Sequence, residues 1–112
     1  MTSTVTSREL APAVALFRSL ADPARLVILR RLAHGEARVV DLTAECALAQ
    51  STVSEHLACL RDCGLVGSRP VGRSSVHFLA QPALFDLLEA AETLLAATGD
   101  AVTLRPNYQA DQ

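Results

Sequence analysis

Gln50-Ser51-Thr52-Val53-Ser54-Glu55-His56-Leu57-Ala58-Cys59-Leu60-Arg61-Asp62-Cys63-Gly64-Leu65-Val66 is the stretch on which the fold of this 112-residue chain turns. Its apolar residues recur at Val53, Leu57 and Leu60, the spacing of one buried helix face. That spacing predicts a helix over 51–63. Gly64 ends it, because a residue without Cβ adopts the left-handed conformation that closes a helix. Leu65-Val66 then opens a β-prone run. The start of the helix carries Gln50, Ser51, Thr52, Ser54 and His56, side chains that donate and accept hydrogen bonds and can read base edges in a major groove. Thr52-x-x-Glu55 has the form of a capping box.

Upstream, Val39 to Ala47 reads as a short helix with Val39, Leu42 and Cys46 on one face, joined through Leu48-Ala49-Gln50. Two short helices with so brief a connector suggest a helix-turn-helix. Before them, Asp22-Pro23 is a strong helix start: the carboxylate accepts from first-turn amides and proline has its φ preset. Leu26, Ile28, Leu29 and Leu32 form the inner face of that helix, with Arg30 and Arg31 outward and Gly35 at its left-handed end. A first helix spans about Arg8 to Leu20, and because Pro12 is tolerated only in a first turn its regular part is expected to begin near Ala11. Leu10, Val14, Phe17 and Leu20 form one stripe along it.

Downstream, Leu65-Val66 and Val76-His77-Phe78-Leu79 flank a polar turn region containing Gly67, Arg69, Pro70, Gly72 and Arg73, and no acid. This predicts a hairpin with a basic tip, Pro70 lying at a sheet edge. Pro82 opens a last helix lined by Leu84, Leu87, Leu88, Ala91, Leu94 and Leu95, which stops at Thr98-Gly99-Asp100. The expected architecture is mainly α with a β-hairpin wing: a winged helix-turn-helix in the order α-α-α-α-β-β-α. It occupies residues 8–98, between a flexible N-terminus (1–7) and a C-terminal tail (99–112). Arg61, Arg69 and Arg73 join the helix-start residues as candidate DNA contacts, the wing arginines reaching phosphates or a narrow minor groove.

Charge at first argues the other way, since the net formal charge is −2. It is unevenly spread. Residues 1–80 hold nine arginines against seven acids, and residues 81–112 hold one against five. The acids fall on the last helix and tail, leaving the helix-turn-helix and wing free to face a polyanion. A hydrophobic fraction of 50% excludes a disordered chain. No apolar run spans a bilayer, and residues 1–10 lack a signal-peptide core, so a cytoplasmic location is expected. Three cysteines are no disulfide framework there. Neither a glycine-rich phosphate loop nor a paired-carboxylate cleft supports an enzyme.

Leu20-Ala21-Asp22-Pro23-Ala24-Arg25-Leu26, then the 50–66 stretch, then Val71-Gly72-Arg73 together resemble the ArsR/SmtB family of winged-helix repressors, over roughly residues 10–97. The resemblance implies a homodimer formed through the first and last helices on palindromic double-stranded operator DNA. Two-fold symmetry sets recognition helices about 34 Å apart. One residue departs from the family pattern. Ala49 stands where many members have a capping serine, so the cap is expected to shift to Ser51 or Thr52.

Different branches of this family sense different signals. A thiolate site before Asp41-Leu42 is missing, since Arg38-Val39-Val40 holds no cysteine. The last helix offers Asp86, Glu89 and Glu92 but no histidine, and carboxylates alone are poor zinc ligands. Cys59 and Cys63 stand at i, i+4, where two thiolates share a soft ion: Cd²⁺ or Pb²⁺ by preference, Zn²⁺ or As(III) as other fits. The segment Cys59-Leu60-Arg61-Asp62-Cys63-Gly64-Leu65-Val66 resembles the cadmium- and lead-sensing, CmtR-like branch. There a third cysteine comes from the partner's tail, and this tail has none. Cys46, His56, a tail group such as Asp100 or Asp111, water, or nothing at all completes the site, with Cys46 also reading as a core thiol. The implied function is repression relieved when the ion binds. The alternative is a repressor of the same family that senses thiol oxidation, or no metal. A structural role leaves the pair as two small residues beside the hairpin.

Overall fold

A computed structural model describes residues 4–100 and 104 of the chain. Five helices and one hairpin follow in the expected order: α1 (Ala11–Leu20), α2 (Pro23–Leu32), α3 (Val39–Cys46), α4 (Gln50–Asp62), β1 (Val66–Val71), β2 (Ser74–Leu79) and α5 (Pro82–Ala97). Its centre is built from three helices. Ile28 and Leu29 of α2, Leu42 of α3, and Val53, Leu57 and Leu60 of α4 are sealed from solvent, and Leu84 and Leu88 close the layer from α5. Each such side chain contributes about 1.5–3 kcal/mol of apolar burial.

Local chemistry explains most boundaries. Asp22 caps α2, its Oδ1 accepting from the Arg25 N–H at 3.1 Å. That bond, aided by His56, holds the carboxyl below the usual carboxylate range. At the start of α3 the Asp41 carboxylate accepts from the Arg38 N–H at 3.0 Å. Ala47 follows α3 with φ +56°, left-handed although it has a Cβ. Gly64 (φ +77°) follows α4, as expected.

Helix α1 begins at Ala11, which places Pro12 in its first turn, as expected. Several other boundaries differ from the sequence expectation. Helix α2 ends at Leu32, and Gly35 sits at φ +145°, outside the left-handed helical region expected for it. Arg31 does not point freely outward: its Nε donates to Glu45 at 2.9 Å. Helix α4 starts one residue early, at Gln50, with Ala49 in the capping position, and no side chain caps it. The expected cap at Ser51 or Thr52, and the Thr52–Glu55 capping box, are not formed, because both hydroxyls already lie inside the helix.

The strands are longer than the apolar runs that announced them. Antiparallel pairing runs from Val66↔Leu79 to Val71↔Ser74 and takes in Gly67 and Pro70. Backbone bonding rather than side-chain hydrophobicity extends it. The two-residue turn is Gly72-Arg73, with Gly72 at φ +62°. A third backbone segment joins the hairpin: Ala37 and His77 exchange hydrogen bonds of 3.0 and 2.7 Å. This bridge ties the wing to the α2–α3 link.

The α1 stripe behaves unlike a core face. Leu10, Val14 and Phe17 are exposed, Phe17 by 59%, while Ser19 is buried. Leu94 of α5 is likewise 66% exposed. Among the described residues no helix is long and apolar enough to cross a membrane. Leu104 donates its backbone N–H to Glu92 at 2.9 Å and packs against the core. The rest of the expected tail beyond Asp100, including Asp111, lies outside the described residues, as do residues 1–3 of the expected flexible N-terminus.

Candidate nucleic-acid interface and thiol site

Helix α4 has one buried seam and two flanks. The seam is Val53, Leu57 and Leu60. Helical spacing sets Gln50, Ser54 and Arg61 on one side of it and Thr52, His56, Cys59 and Cys63 on the other. The first group is exposed, together with Ser51. Ser54 and Arg61 border a cleft between α4 and the hairpin. Arg73 is exposed at the wing turn. Arg69 is exposed too, but its guanidinium is engaged by the Glu36 carboxylate. The hairpin has no acid of its own, and the α2–α3 link supplies one.

The second flank turns toward protein at Thr52, His56 and Cys59, while Cys63 at its end is exposed. His56 is half-buried and places Nε2 3.8 Å from Asp22 Oδ1, at the start of α2. Thr52 is half-buried as well. These two expected DNA contacts therefore stand apart from Gln50, Ser51, Ser54 and Arg61.

Cys59 and Cys63 do share a face, and each has a partner on another helix. Arg25 donates from Nη1 to Cys59 Sγ at 3.2 Å and from Nη2 to the Arg18 carbonyl at 3.3 Å. Its Nε is buried without a partner. Ser19 Oγ lies 3.1 Å from Cys63 Sγ and donates to the Ala15 carbonyl at 3.0 Å. The thiols thus sit against α1 and the start of α2, not beside the hairpin. Ser19 and Arg25 carry this junction, and neither stood out in the sequence. A buried hydroxyl in an apolar helix was the available signal for Ser19. Nothing local marked Arg25, whose contact spans 34 residues.

Cys46 is elsewhere. It lines a cleft with Arg31, His34 and Glu45, whereas Cys59 lines a cavity of about 490 Å³ with Ala11, Val14, Ser19 and Arg25. Burial, and next the Glu45 carboxylate, push the Cys46 thiol up, which disfavours the thiolate a metal needs. Among the described residues no three His, Cys, Asp or Glu side chains are grouped to hold a metal. The pair supplies two soft donors, and the donor set is suited to a thiophilic ion.

Known proteins bear on this geometry. Residues 22–68 match the family described as "Bacterial regulatory protein, arsR family". The probable mercury resistance operon repressor of Streptomyces lividans is 36% identical over 86 residues, covering 77% of this chain and 69% of that protein. The chain belongs to the arsR family. Another arsR-family relative, the transcriptional regulator CmtR of Mycobacterium tuberculosis, is 42% identical over 86 residues, 76% of this chain and 73% of its own. The NMR structure of that cadmium metal-sensor superposes with a TM-score of 0.60, covering 69% of this chain and 80% of the sensor. ArsR-family membership makes the chain a helix-turn-helix transcription regulator of the repressor type, which binds operator DNA and is not an enzyme, with metal sensors among its relatives.

Proposed function

We propose that the protein is a homodimeric repressor released from its operator when a soft metal or metalloid ion binds Cys59 and Cys63. The observation that carries this reading is the seating of both thiols on the flank of α4 opposite Ser54 and Arg61, against α1 and α2. The names of the relatives, a mercury resistance operon repressor and a cadmium metal-sensor, support it. Gln50, Ser51, Ser54, Arg61 and Arg73 contact operator DNA. Arg69 contacts it only by leaving Glu36, and Thr52 and His56 belong to the thiol flank. The exposed apolar residues Leu10, Val14, Phe17 and Leu94 are the surface a second copy would cover. Cys46 is a structural thiol.

Holding an ion requires both thiols to lose their protons. Each thiolate must then turn lone pairs to the ion, which re-sets the contact of Cys59 with the Arg25 guanidinium and of Cys63 with the Ser19 hydroxyl. Occupation of the site therefore alters how α4 is held against α1 and α2. Coupling is reciprocal: a difference of about 1–3 kcal/mol changes operator affinity by roughly 5–150-fold and ion affinity by the same factor. Cd²⁺ or Pb²⁺ is the preferred ion, with Zn²⁺ or As(III) as other fits.

The test is an operator titration at fixed salt with and without Cd²⁺, alongside ultraviolet absorbance. Thiolate-to-metal charge transfer and weakened operator binding are expected in the wild type. Both are expected to vanish in Cys59→Ser and Cys63→Ser, while metal-free operator affinity stays the same. Unchanged operator affinity with Cd²⁺ overturns the reading. The second reading, a thiol-oxidation sensor in a cytoplasmic repressor, is favoured by the guanidinium at Cys59. It predicts loss of operator affinity with peroxide and none with Cd²⁺.

A further inference from the structure

The cleft between α4 and the hairpin has a volume of about 450 Å³. Ser54 and Arg61 of α4, Ser68 of β1, and Ser75 and His77 of β2 supply its polar lining, over Val39 and Leu57. No carboxylate lines it. Hydroxyls, a guanidinium and an imidazole together are the chemistry of an oxyanion site.

His77 is the unusual member. It is only 5% exposed, and its Nδ1 is sealed from solvent with no hydrogen-bond partner. Its backbone is clamped by the Ala37 bridge, and Ser68 stands opposite it in the hairpin register. A buried polar atom left unsatisfied is costly, and His77, which borders the cleft, has a partner still to gain.

The charged surroundings are one-sided. Arg61 faces His77 from α4. On β1 the neighbouring position is Arg69, committed to Glu36. The buried face of α2 is Ile28, Leu29 and Leu32, and α3 contributes Val39 to the cleft. Burial first, and Arg61 second, hold the imidazole below its ordinary value. An anion seated between the two groups reverses both effects.

We propose that this cleft seats one phosphate, a backbone phosphate of operator DNA, with Arg61 as the permanent cation and His77 taking up a proton from solvent as the phosphate enters. This rests on the placement of α4 and the wing against DNA described above, and it makes operator binding proton-coupled. Free inorganic phosphate presents the same chemistry, so both sources are tested.

The experiment is long-range ¹H–¹⁵N NMR of the histidine rings in the full chain, titrated with pH alone, with inorganic phosphate and with operator duplex. His34, His56 and His77 are followed separately. The His77 ring is expected to titrate at higher pH once operator is bound. Between its free and bound pKa values, operator affinity at fixed ionic strength should rise up to about tenfold per unit fall in pH. His77→Gln should flatten the His77 share of that dependence, and the ring titration keeps the test open if that variant does not fold. Operator binding with an unmoved His77 ring overturns the proposal while leaving DNA binding intact. A ring moved by inorganic phosphate but not by operator overturns the DNA source. A ring moved by neither overturns the site.

Discussion

On one flank of α4, His56, Cys59 and Cys63 meet Asp22, Arg25 and Ser19, which belong to two other helices. On the other, Gln50 and Ser51 meet solvent, and Ser54 and Arg61 border a cleft. The seam of Val53, Leu57 and Leu60 is all that separates them. The difference shows how one thirteen-residue helix can serve two chemistries. Groups tied to other helices report on how the domain is held together, and groups left open report on what arrives from outside.

The largest expected effect removes the seam that both flanks share. Leu57 is 1% exposed, and Leu57→Ala should lower stability by about 2–5 kcal/mol, read as a urea midpoint. Operator and ion binding should then fail together. Asp22→Ala acts on the thiol flank alone. It removes the α2 cap and the carboxylate facing His56, and should cost about 1 kcal/mol by the same measurement. Operator affinity should be unchanged, which sharpens the separation of the flanks; a parallel fall in affinity would break it. Ala49→Ser should add up to about 1 kcal/mol by capping the bare start of α4.

The smallest effect is one of pH. His77 has its pKa lowered by burial, so the folded chain refuses a proton that the unfolded chain accepts near the ordinary value of 6.5. Its contribution to stability is present above that value and is lost as pH falls through it. The urea midpoint should therefore drop between pH 7.5 and 5.5 in the wild type, and less so in His77→Gln.

Those variants also divide what sequence could and could not disclose. Asp22-Pro23, the Val53-Leu57-Leu60 stripe and Gly64 are local signals, and each marks the element it predicts. The Cys59–Cys63 pair is local too. Its partners are not: Ser19 reaches Cys63 across 44 residues, and no periodicity encodes that contact. His77 looked like one more residue of a β-prone run, because its burial depends on Ala37 and α4 closing over it. The α1 stripe is a different case, since the sequence reading assigns it to a second copy of the chain. Its periodicity is that of a buried face, but a single copy of the chain leaves much of it in water.

The connector from α3 to α4 is Ala47-Leu48-Ala49, and it contains no glycine. Ala47 already occupies the narrow left-handed well open to a residue with a Cβ. That conformation costs a residue with a Cβ about 1–2 kcal/mol relative to its right-handed and extended alternatives. The tight α3–α4 joint is therefore held by what packs around it, Leu42 from one helix and Val53 and Leu57 from the other, and not by the backbone preference of Ala47. A substitution that loosens that shared core loosens the angle between the two helices with it.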